Sequence, residues 1–193
     1  VCTDGMRPPR ACLNLDIMKN LKPDRFINIE IDGLTNSIQN LHTGQNHETE
    51  IQYITKNDFK QLTRRAGWRF NWKAEIKYAD RSVYKLITID LPYQIQGLVS
   101  LSDHSDHIYL HLVESAPFNL GKNKVFLGVP GNLIAFACKL SQNLGYQGFV
   151  AFQAKTILIR HYEQSLGATH IGGQKMIIYP HEAAKLIQRY FKS

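Results

Sequence analysis

The sequence predicts an α+β fold, with a mixed, mostly antiparallel central sheet and helices on both faces. Three observations carry that expectation. The stretches VYKLITI, IQGLVSLSD and HIYLHLVE are apolar or alternating over strand lengths, and the turn-like LPYQ and HSD separate them. The next stretch, VFLGVPGNLIAFACKLSQNLG, passes from a strand-like run through glycine and proline into an amphipathic helix. The short apolar strand GFVAF follows. An antiparallel meander thus leads into a β–α–β unit.

Taken in order, VCTDGMRPPRACLNLDI has no clear periodicity, no signal-peptide pattern and no initiating Met. Residues 1–17 are therefore expected to be a non-native or disordered leader, with the native start at Met18. FINIEI (26–31) alternates as a half-buried strand, and the polar segment 35–50 reads as hairpin or loop. ITKNDFKQLTRRAG reads as one capped helix, with Thr55 as N-cap, Asp58 favourable to the helix N-terminus and Gly67 as terminator. Trp68, Phe70 and Trp72 alternate as a strand edge or core lid. After the meander and the helix, KTILIRHYEQSLG is a second helix ending at Gly167, KMIIY a last strand, and PHEAAKLIQRYFK a helix opened by Pro180. One domain is expected over 18–193, an elaboration over 18–80 preceding a core over 81–193.

At 193 residues, with 44% hydrophobic and 20% charged residues, the chain can bury a full core and is not disordered in composition. No apolar run approaches the ~20 residues of a membrane helix. The 23 Lys+Arg against 16 Asp+Glu give +7, a charge that attracts anions. No dense basic block occurs, so nucleic-acid binding is not favoured. Cys2, Cys12 and Cys138 form no disulfide framework or metal-ligand pair, which fits a reducing cytoplasm. Cys138 falls in an apolar helix pattern as a buried thiol.

Within the helix, Leu133, Phe136, Ala137, Leu140 and Leu144 recur at spacings of three and four as one apolar face. The glycine loop before it serves either as a plain turn or as a seat for an anion. At a helix N-terminus, unbonded N–H groups and a partial charge of roughly +0.5 favour phosphate. Asp103, His104, Asp106, His107 and His111 lie close together in DHSDHIYLH. His107 and His111 share a strand face and allow two ligands to converge, but no Cys pair or H-E-x-x-H accompanies them, and no metal is expected. His107 or His111 can alternatively serve as a general base. No G-x-S-x-G nucleophile elbow occurs.

From Tyr84 to Tyr179 the chain resembles the GNAT superfamily of acyl-CoA-dependent N-acyltransferases. The resemblance rests on a spaced series: GVPGNL opening a helix, GYQGFVAF as the next strand, HYEQSLGA closing the following helix, then KMIIY. It departs from the family pattern in placing Pro130 between Gly128 and Gly131, in Lys155 where an Asn is frequent, and in one extra residue between Glu163 and Leu166.

The resemblance implies a GNAT-like fold and transfer of an acetyl or other acyl group from coenzyme A to a primary amine. Acetyl-CoA would place its pyrophosphate on N–H groups around Gly128, Val129, Gly131, Asn132 and Leu133, with pantetheine between two splayed strands. Lys155, with Lys122 and Lys124, would neutralise phosphate. Glu114 would serve as base and Tyr162 would protonate the leaving thiolate. The alternative is a non-catalytic binding or regulatory protein of the same fold, with an RNA partner drawn by the positive charge. Neither the acceptor nor the oligomeric state is legible.

Overall fold

A computed structural model describes residues 38–191. The expected leader, the Met18 start, Cys2, Cys12 and the strand at 26–31 lie outside the described residues.

The first elements form a hairpin, β1 (Ile38–Asn40) and β2 (Asn46–His47), as the polar segment suggested. β3 (Thr49–Tyr53) leads into a segment of short turns. The single helix expected from ITKNDFKQLTRRAG is instead two 3-10 turns, Lys56–Lys60 and Arg64–Ala66. The break has a local cause. Thr63 is extended, and its hydroxyl accepts the Ala66 N–H at 3.1 Å, so the side chain starts a new turn where a helix would have continued. Gly67, with φ of 93°, ends it. The aromatic stretch is likewise no strand: Asn71 caps the short helix α1 (Trp72–Glu75) by accepting the Ala74 N–H at 3.2 Å.

The meander follows as β4 (Ser82–Thr88), β5 (Leu91–Asp103) and β6 (Ile108–Ser115). LPYQ, expected as a turn, begins β5; the reversal falls at Ile89 and Asp90. A 3-10 turn (Pro117–Asn119) and β7 (Phe126–Leu127) precede α2 (Val129–Asn143). β8 (Val150–Gln153), a 3-10 turn (Thr156–Leu158) and α3 (Ile159–Leu166) come next, then β9 (Thr169–Gly172), β10 (Lys175–Ile178) and α4 (Pro180–Tyr190).

Seven strands form one sheet in the order β3-β4-β5-β6-β8-β10-β9, and β2-β1-β7 form a small second sheet. Every neighbouring pair in the large sheet is antiparallel except β6 and β8, whose parallel register runs only from Ile108↔Val150 to Leu110↔Phe152. One face carries the larger apolar cluster, in which Val99, Leu101, Ile108 and Leu110 join Leu133 and Phe136 of α2 and Leu186 and Ile187 of α4. On a second cluster Leu62, Trp68 and Trp72 from the 54–80 segment cover Val83, Ile95 and Leu98. The expected mixed sheet is present, with helical segments packed on both clusters.

Candidate functional site

β6 has eight residues but pairs with β8 over three. The end of this pairing coincides with a β-bulge. On β5, Ser100 and Leu101 are consecutive, yet they face Leu112 and Leu110, so His111 is the extra residue. A bulge bends its strand. Beyond Leu110, β6 stays with β5, and a gap opens between it and β8. The Ala116 N–H donates to Gln96 O on β5 at 2.8 Å. Strand N–H groups alternate sides, so the Val113 N–H points away from β5, toward the gap.

α2 lies across β5, β6 and β8. Gly97 allows this close seat: a Cβ there would come within 2.7 Å of Val129 Cγ1 and 3.0 Å of both Leu133 Cδ1 and Glu114 O. Gly97 faces Ser115, so the first turn of α2 sits beside the open end of β6. Gly128 is the N-cap with φ of 95°, a left-handed conformation that favours glycine. The helix starts at Val129, and its first i→i−4 bond runs from Asn132 N–H to Gly128 O at 2.9 Å.

That bond narrows the expected donor set. The N–H groups of Val129 and Gly131 precede it and are unbonded in the helix, and Pro130 has none. The Asn132 N–H is taken by the helix, and the Leu133 N–H falls within the same i→i−4 repeat. Their side chains do structural work: Asn132 Nδ2 donates to Thr49 Oγ1 at 3.2 Å, and Leu133 is fully buried. Gly131 is covered by an element with no sequence signal for it. Tyr190, on α4, places its hydroxyl where a Cβ on residue 131 would sit.

Lys122 and Lys155 are exposed and Lys124 half-buried. Among the described residues none of the three makes an ion pair. Lys155 lies two residues past the end of β8, as the N-cap of the 156–158 turn.

Tyr162 lies on α3, with its ring edge-on to Phe152 of β8 at 5.4 Å between centroids. Phe152 faces Leu110, the last paired position before the gap. The Tyr162 hydroxyl makes no hydrogen bond among the described residues, and partial burial raises its pKa above the usual phenol range.

Glu114 is buried and oriented by three donors. Its Oε1 accepts the Arg69 N–H at 2.6 Å; its Oε2 accepts the Phe70 N–H at 3.3 Å and the Trp72 indole N–H at 2.8 Å. This carboxylate ties the 69–72 segment to β6, and the three bonds occupy most of its acceptor capacity. Sequence spacing gave no sign of it, because the donors lie more than forty residues away.

The histidine stretch is organised by a residue the sequence did not single out. Ser102 Oγ lies 2.7 Å from His111 Nε2 and 3.0 Å from His104 Nε2. His104 stacks on His107 at 5.0 Å, and His107 Nδ1 pairs with Asp106. Nearby, Glu75 Oε1 accepts from Arg81 Nη1 at 2.6 Å and from Ser100 Oγ at 2.7 Å. Among the described residues no group of three or more His, Cys, Asp or Glu is arranged to hold a metal ion. Among the described residues no helix is long and apolar enough to cross a membrane.

Solved structures share this architecture. Spermidine N-acetyltransferase from Vibrio cholerae, in complex with CoA and spermine, is 14% identical with a TM-score of 0.50, over 71% of this chain and 98% of its own. AtaTR bound with AcCoA is 13% identical at a TM-score of 0.50, over 72% and 98%. A domain from Methanocaldococcus jannaschii DSM 2661 is 17% identical at 0.50, over 68% and 97%. No family model matches the chain, and no curated protein matches it in sequence. The likeness is one of fold: the sheet has the GNAT-like architecture that the spaced glycine, tyrosine and strand series implied.

Proposed function

We propose, from the GNAT-like fold and the geometry of the gap, that the chain is an N-acyltransferase moving an acetyl group from coenzyme A to a primary amine in the cytoplasm. The observation that carries the reading is the gap between β6 and β8, opened by the His111 bulge and flanked by the first turn of α2. The residues present fit an acyl-CoA. Val129 and Gly131 offer two N–H groups that the helix leaves unbonded at its N-terminus, directly after the glycine N-cap Gly128.

When bound, acetyl-CoA supplies a thioester: the amine nitrogen forms a C–N bond to its carbonyl carbon as the C–S bond breaks. The protein supplies placement and protons. Val129 and Gly131 hold the pyrophosphate, and Lys155, Lys122 and Lys124 add positive charge near it. The Val113 N–H is aimed to stabilise negative charge on the carbonyl oxygen. Tyr162 stays protonated at neutral pH and gives its hydroxyl proton to the departing sulfur. Glu114, engaged by three N–H groups, acts by holding the 69–72 segment against β6.

The test is thermal stabilisation by acetyl-CoA. A ligand that binds only the folded state at about 100 times its Kd adds about 2.7 kcal/mol. At roughly 2–4 °C per kcal/mol for a chain of this size, the melting temperature should rise by about 5–10 °C. A flat melting temperature at millimolar acetyl-CoA would sink the reading.

A further inference from the structure

The bulge places one imidazole where the gap begins. His111 has no Cα partner on β5 and is half-buried, and its Nε2 is engaged by Ser102 Oγ at 2.7 Å. The same oxygen, in a residue 2% exposed, meets His104 Nε2 at 3.0 Å, and His104 is exposed. The Tyr109 ring packs against both imidazoles, 4.8 Å from His111 and 5.5 Å from His104. A hydroxyl has one proton to donate and two lone pairs, so at most one of the two facing ring nitrogens accepts from it and at least one donates to it. The arrangement therefore restricts the tautomers.

We infer that His111 is the general base of the transfer, taking the amine proton on Nδ1, and that Ser102 and His104 are positioning residues that fix its tautomer. The inference rests on the acyltransferase reading. In the resting state His111 carries its proton on Nε2 and donates to Ser102 Oγ. The Ser102 hydroxyl donates to His104 Nε2, and the His104 proton is on Nδ1. That leaves His111 Nδ1 as a bare lone pair. A protonated amine gives one proton to Nδ1, His111 becomes imidazolium, and the free amine lone pair forms the C–N bond. After product leaves, the Nδ1 proton returns to water.

The charges around the ring suit a base. Desolvation lowers the His111 pKa first, and Arg81 lowers it further; Glu75 and Asp80 pull it up, and His104 lowers it. The net shift is below the ordinary value of 6.5, so the ring is neutral at neutral pH. Glu114 does not compete for the role, because its oxygens face the 69–72 donors.

Nitrogen NMR of the imidazoles in the unliganded protein tests the inference without any turnover. The Nε2–H tautomer is expected for His111 and the Nδ1–H tautomer for His104, and Ser102→Ala should relax His111 toward a mixture. A wild-type His111 with its proton on Nδ1 overturns the inference. With acetyl-CoA and spermine as probe substrates, His111→Asn should lower kcat about 100-fold, erase the acid limb of the pH profile and leave stabilisation by acetyl-CoA intact. An unchanged acid limb in that variant also overturns it. Absence of acetyl-CoA stabilisation in the wild type breaks the acyltransferase reading instead, and the tautomer result then decides only the wiring of the histidines.

Discussion

Where β5 and β6 face α2, the chain offers Val99, Leu101, Ile108 and Leu110, all within the larger apolar cluster. On their other side the same two strands carry Ser100, Ser102, His111 and Glu114: Ser100 is bonded to Glu75, Ser102 to His111 and His104, and Glu114 to the 69–72 segment. The first arrangement is held by shape. A missing Cβ at Gly97 lets a helix descend, and aliphatic side chains fill the rest. The second is held by directional bonds, in which each buried polar atom needs its partner. The difference teaches that one pair of strands carries a face held by shape and a face held by directional bonds, joined at a bulge.

The largest expected effect breaks the polar side. Glu114→Leu strands three N–H donors, each costing about 1–3 kcal/mol when left buried without an acceptor. Some of these donors can turn to water, so a loss of about 3 kcal/mol is expected in urea unfolding at unchanged m. Glu114→Gln keeps one oxygen and should lose less than half of that. Equal losses for the two variants would mean that volume, not bonding, governs this side.

A smaller effect should come from the side held by shape. Gly97→Val forces a side chain against Val129 and Leu133, an overpacking cost of about 2 kcal/mol. The melting temperature should fall by about 4–8 °C. Acetyl-CoA binding should weaken as well, since Val129 belongs to the first turn of α2. Loss of stability without loss of binding would separate the seat from its support.

The smallest effect is a pH dependence. Because the folded pKa of His111 lies below its unfolded value of 6.5, its contribution is full above pH 6.5. Below that the unfolded state binds more protons, and stability falls with pH until the folded pKa is passed. Thermal melts from pH 7.5 to 5 should show this fall, and His111→Asn should remove its share. An identical fall in the variant would assign the titration to other histidines.

Much of the sheet was legible. β4, β5, β6, β8 and β10 each carry a strand-length apolar pattern, and Pro180 and Gly167 mark helix ends where the structure has them. The failures share a cause. β9, with four exposed residues on the sheet edge, has no buried side to leave an apolar signal. The helix expected over 54–67 was undone by a Thr63 hydroxyl that bonds its own backbone, which propensity does not register. The glycine turn and the helical position of Tyr162 were readable because each is local to its stretch of sequence. The bonds that orient Glu114, and the tyrosine that covers Gly131, join residues far apart in sequence, where periodicity carries no information.

Tyr190 gives the proposed phosphate seat a place in time. The ring that closes over Gly131 belongs to α4, the last of the described elements, so a nascent chain that has already delivered the described strands of both sheets still has an unfinished helix mouth. Synthesis proceeds from the N-terminus, and the sheet can begin to form before α4 emerges. The surface proposed to seat an anion is thus completed by the last described element to be synthesised.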